Sequence, residues 1–142
     1  MHLNDLFKRE DRSTRAFWTL RELAGKRFGP KKPVYVLVSK STFSGGEELA
    51  YDLQSLHRAK VVGETTAGGA HASDGHVLDA QFRIAVPDEI AINPVTKKNW
   101  ERAGVVPDVA VPAEAALEEA HRRALADLAS RAATTRPRLA PP

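Results

Sequence analysis

Between Val34 and Leu56 the chain reads as an apolar strand that turns sharply into an amphipathic helix, and no other stretch restricts the fold as tightly. The strand is Val34-Tyr35-Val36-Leu37-Val38, extending to about Ser39. The helix pattern runs from about Ser44 to His57, with Leu49, Leu53 and Leu56 at spacings of four and three marking an apolar face. Between them lies Ser41-Thr42-Phe43-Ser44-Gly45-Gly46-Glu47-Glu48. A serine at such a turn has its hydroxyl lifted out of the fold and the next backbone amides at a helix N-terminus, where a nucleophile and an oxyanion site can be built. The same residues read equally as a capping box, Ser44 with Glu47 three positions on, which stabilises a helix start and needs no chemistry.

The rest of the chain organises around this unit as a mixed α/β domain. Residues 1–13 are charged and poorly patterned, and Ala16–Leu20 is a short strand or a packing anchor. A glycine- and proline-punctuated loop, Gly25–Pro33, leads into the first buried strand. Arg58–Gly63 reads as a second strand, followed by a small, polar, glycine-rich loop over Glu64–Gly75. Alternation predicts a strand over Val77–Val86 and a short extended piece at Glu89–Ile92. Val105–Val111 is extended, with Pro107 arguing for an edge or a strand boundary. A helix starts near Pro112, and residues 131–142, ending in an Arg- and Pro-rich run, form a disordered tail beyond a domain of residues 1–130.

Composition removes several classes of function. There is no cysteine, so no disulfide framework, thiolate zinc site or cysteine nucleophile. No apolar run approaches the length of a membrane span. The formal charge of +3 is small, and the basic residues near both ends lack aromatic interleaving, which speaks for solvated surface over nucleic-acid binding. The N-terminal residues lack the charged-then-apolar pattern of a signal peptide. His71 and His76 flank the glycine-rich loop and can be weighed as general bases, but with no carboxylate in a ligand pattern they make a poor metal site. No metal and no cofactor is expected. The loop over Glu64–Gly69 lacks the lysine and following helix of a phosphate-binding loop and reads as the lining of a cleft. Glu101 stands beside Trp100 on a turn, either as an orienting carboxylate or as an exposed turn residue with Trp100 as the anchor.

Three stretches in combination are far more specific than any one of them. They are Lys32–Ser39 running into Thr42–Glu48, then Arg58–Ala70, then Asn93–Thr96 through Asn99-Trp100-Glu101 to Gly104–Asp108. Their order and spacing resemble the C-terminal half of the catalytic domain in the tail-specific (C-terminal processing) serine peptidase family, in the branch related to interphotoreceptor retinoid-binding protein. The resemblance implies a crotonase-like or ClpP-like fold of ββα units wound in a spiral, here without its N-terminal half. It implies Ser44 as nucleophile and the Gly45 amide as an oxyanion donor. Thr65, Thr66, Gly68 and Gly69 would line the substrate. Processing-branch relatives carry a lysine base where this chain has Gly69, so that dyad is excluded. Relatives of the tricorn-protease kind use a histidine with a serine and a glutamate, and Glu101 matches that glutamate.

The histidine of that branch lies in the first half of the domain. The resemblance therefore implies a peptide- or protein-cleaving segment that is silent alone, because its general base lies upstream. The alternative is a non-catalytic binding module for a hydrophobic ligand such as a retinoid or fatty acid. Self-association through uncovered core or edge surface is a further expectation. Relatives are often exported or periplasmic.

Overall fold

The computed structural model describes residues 1–135. Strands β1 (His2–Lys8), β2 (Thr14–Trp18) and β3 (Tyr35–Val38) precede helix α1 (Gly45–Ser55). Strands β4 (Lys60–Gly63), β5 (His71–Val77), β6 (Arg83–Ile92) and β7 (Val109–Ala110) follow. A 3-10 turn over Ala113–Ala115 then leads into helix α2 (Ala116–Thr135). The strands form two sheets: an antiparallel one ordered β2-β1-β6-β5 and a parallel one ordered β3-β4-β7.

Parallel strands need crossovers, and the central strand is covered on both faces. Val61 and Val62, adjacent on β4 and pointing to opposite faces, are both fully buried. Val61 lies in a core with Val38, Ala50, Ala70, Ala91, Trp100 and Val105, which includes residues from α1 and both sheets. Val62 packs with Ala116 and Ala120 of α2, with Tyr35, Val109 and Val111 at the margin. Asp108 fixes the register from below, its carboxylate accepting the Val61 amide at 2.7 Å. The two helices therefore clamp one strand, and the chain leaving β3 must enter α1 at the sheet's C-terminal edge.

The strand–turn–helix–strand unit lies within about two residues of its expected bounds, and several other readings need correction. Residues 1–13 contain β1, whose partners are β2 and the distant β6; it shows no local pattern because its burial is partial at every position except Asn4, a polar residue. The expected strand over Val77–Val86 is the end of a hairpin, with β5 beginning at His71 inside the segment read as loop. Its turn contains no glycine: Asp79 Oδ1 accepts the Gln81 and Phe82 amides at 2.8 and 2.9 Å. The leucine stripe of α1 is not its buried face. Leu49 is 57% exposed, while Glu47, Ala50 and Asp52 are buried. Ala16–Trp18 lies in a fully exposed strand and anchors nothing in the core. Helix α2 continues through Thr135, into the segment expected to be a disordered tail; the remainder of that segment lies outside the described residues.

Candidate active site

At the end of β3 the chain makes a tight turn. The Thr42 amide donates to Ser39 O at 2.9 Å, and the Ser39 amide to Thr42 Oγ1 at 3.0 Å. Ser44 follows at φ 51° and ψ −118°, a conformation that L-residues avoid and that strand-to-helix nucleophile turns require. Its residue is exposed. The next amide, that of Gly45, has no hydrogen-bond partner among the described residues and opens the N-terminus of α1. A strained serine beside an unpaired helix-terminal amide can attack a carbonyl and hold the resulting oxyanion. A cap alone does not require this backbone, since cap residues normally sit in the β region.

Beneath the turn, Glu47 is fully buried. Its carboxylate accepts the Ser44 and Gly69 amides on Oε2, each at 2.9 Å, and the Gly68 amide on Oε1 at 2.7 Å. The Thr66 hydroxyl donates to Oε1 as well. Burial alone would push this carboxyl up. The Thr66 hydroxyl and the Gly69, Gly68 and Ser44 amides outweigh burial and hold it below the usual glutamate value. One carboxylate thus ties the serine turn to the glycine-rich loop.

The loop residues expected to line the substrate divide accordingly. Thr65 is exposed. Thr66 is buried, and besides Glu47 its Oγ1 serves the Val105 amide at 2.7 Å. The Gly68 and Gly69 amides are taken by Glu47, and their carbonyls by the Arg102 amide at 2.9 Å and Trp100 Nε1 at 3.0 Å. Three of the four residues therefore face inward as scaffold. Gly69 is also pressed against the residue before the serine: a Cβ there would lie 2.2 Å from Phe43 Cε2. Phe43 fills the space that a lysine at this position would need.

Glu101 is fixed by the Ala70 amide, which donates to Oε2 at 2.8 Å, and His71 Nδ1 lies 4.0 Å from the same oxygen. Trp100, 2% exposed, is the anchor of this turn and packs tilted against Tyr51. No hydrogen bond joins Ser44 to Glu101 or to any histidine among the described residues. His76 lies on the exposed hairpin. His2 is ordered, stacked on Trp18 at 4.5 Å and paired with Asp5 at 2.7 Å. Among the described residues no group of three or more His, Cys, Asp or Glu is placed to hold a metal, and no helix is long and apolar enough to cross a membrane.

The family model described as peptidase family S41 matches residues 4–111, which include every residue of this site. The chain belongs to peptidase family S41. Solved structures show the same fold. The photosystem II D1 C-terminal processing protease is similar at a TM-score of 0.58 and 25% identity, over 80% of this chain and 28% of that one. A lipoprotein from Streptococcus agalactiae shares the fold at a TM-score of 0.65 and 15% identity, over 89% of this chain and 45% of that one. Mature CPAF shares it at 0.52 and 20% identity, over 68% and 19%. This S41 chain spans less than half the length of each.

The residue that sequence reasoning undervalued is Glu47. Its capping-box spacing is by itself a sufficient local reason for a glutamate at this position. The available signal was the Gly68-Gly69 pair, two amides on a buried loop that need an acceptor.

Proposed function

We propose that this chain carries the nucleophile-bearing half of a serine-type endopeptidase domain built as a crotonase-like ββα spiral, acting on peptide or protein substrates. The observation that carries the reading is the Ser44 turn: a non-glycine residue at φ 51° with the unpaired Gly45 amide directly after it. Ser44 Oγ attacks the scissile carbonyl carbon as its proton passes to a general base. The oxyanion accepts a hydrogen bond from Gly45 N–H. Collapse expels the amine, which takes the proton from the base, and water then cleaves the Ser44 ester. Glu101 orients the base, and Thr65 lines the substrate cleft. The base itself is supplied from outside the described residues, so the chain alone does not turn over peptides.

A missing base can be replaced chemically. Incubated with p-nitrophenyl acetate, the chain should release one equivalent of nitrophenol in a burst. That burst should accelerate with rising pH and with added imidazole, and Ser44→Ala should abolish it. An undiminished burst in Ser44→Ala would remove Ser44 from the reaction. So would the absence of any imidazole-dependent acylation in the folded wild type.

A further inference from the structure

We infer that Glu47 is the positioning residue of the serine turn: its buried carboxylate holds the Ser44 amide in place and locks the Gly68-Gly69 segment against it. What this positioning serves rests on the serine-peptidase reading above. The mechanical claim does not. A non-glycine residue at φ 51° and ψ −118°, outside the left-handed helical region, persists only where its surroundings over-determine it. The Ser44 carbonyl accepts the Glu48 amide and the Phe43 carbonyl accepts the Gly46 amide, both within the local backbone. Glu47 is the side chain that holds the Ser44 amide, and the oxygen it uses also holds Gly69.

A capping role explains one of the four donors that Glu47 accepts. The other three come from Thr66, Gly68 and Gly69, a segment far along the chain that a helix start does not need. The chemistry also specifies the residue type. A carboxylate is acceptor-only, with about four lone-pair sites, and here it meets four donors. Glutamine would present an NH2 group either to the Ser44 and Gly69 amides or to the Gly68 amide, a donor against a donor in both orientations. Aspartate is one methylene too short to reach the loop from the same helix position. Glu47 has no ion-pair partner among the described residues. The neighbouring carboxylates are engaged elsewhere, Glu48 with Asn4 and Glu101 with Ala70. The group thus acts through oriented hydrogen bonds, and the direction of the Gly45 amide depends on the Ser44 peptide it secures.

The test uses the 142-residue chain labelled with ¹⁵N. The Ser44, Gly68 and Gly69 amides should titrate together with a single acidic midpoint. Thr66→Val removes one donor and should move that midpoint to higher pH at all three amides, including Ser44, which Thr66 does not touch. Glu47→Gln should abolish the shared titration. It should also slow imidazole-assisted fluorophosphonate labelling of Ser44 by about 100-fold, the effect of a small misplacement at a reacting group. A Ser44 midpoint unmoved in Thr66→Val, or wild-type labelling in folded Glu47→Gln, would overturn the assignment. If Glu47→Gln fails to fold, the Thr66→Val titration decides alone. A coupled titration in a wild type that never labels would keep Glu47 as the positioning residue and reject the peptidase reading.

Discussion

Helix α1 buries two carboxylates five residues apart, and their surroundings treat them in opposite ways. Glu47, at the serine turn, meets four donors and is held below its usual range. Asp52, on the underside facing the antiparallel sheet, is 5% exposed and meets one side-chain donor, Asn93 Nδ2 at 2.9 Å. Its carboxyl is pushed up to about 6, chiefly by burial; the Asn93 amide opposes this and nearby Glu48 adds to it. The same region leaves Asn4 Oδ1 buried without a partner among the described residues. Burial alone therefore does not mark a built site. Complete satisfaction of a buried charge does, because ionisation in a low dielectric survives only where donors are aimed at it.

The comparison is broken most severely at Glu47. Glu47→Ala leaves the Thr66 hydroxyl and the Ser44, Gly68 and Gly69 amides without an acceptor, and should cost roughly 3–5 kcal/mol in denaturant unfolding, since each unsatisfied buried donor costs about 1–3 kcal/mol. A loss below about 1 kcal/mol would place Glu47 with ordinary capping residues. Asp52→Asn should act in the other direction. The folded-state pKa of Asp52, about 6, lies above its unfolded value. Its contribution is complete below the unfolded pKa and is lost as pH rises through 6. Asparagine should therefore stabilise the chain by about 1–3 kcal/mol at pH 8 and by little at pH 4. Glu47 contributes with the opposite sign: its stabilisation is present above the unfolded pKa and is lost as pH falls through its depressed folded value. Wild-type stability should thus peak between the two carboxylates' titrations, and thermal melts across pH should lose the upper limb in Asp52→Asn.

Smaller changes sharpen the same contrast. Trp100→Phe keeps a ring against Tyr51 but leaves the Gly69 carbonyl unpaired beside the Glu47 cluster, at a cost of about 1–2 kcal/mol in urea unfolding. Asn4→Ala removes an amide that bonds Glu48 at 2.8 Å with one atom and is orphaned at the other. The gain and the loss should nearly cancel, leaving a change below about 1 kcal/mol.

What could be read from the sequence follows the range of the interactions involved. Strand β3, the serine turn, α1 and β4 were legible because their signals are local: a β-branched run, a capping box and a helical period. Strand β1 was not, because half its definition lies in β6, some eighty residues away. The start of β5 was hidden for a related reason, its exposed His71–Gly75 having the small polar composition of a loop. The leucines of α1 misled because the helix turns Glu47 and Asp52 inward and leaves Leu49 exposed. At the proposed site, Ser44 and Glu101 were singled out through motif spacing. The inward roles of Thr66, Gly68 and Gly69 depend on a carboxylate about twenty residues earlier, and no local pattern announces such a bond.

Mapping the site of acylation tests the central claim most directly. The folded chain, treated with a fluorophosphonate at alkaline pH in the presence of imidazole and digested for tandem mass spectrometry, should carry one adduct, on Ser44. An adduct confined to another serine, or none on a folded chain, would contradict the account.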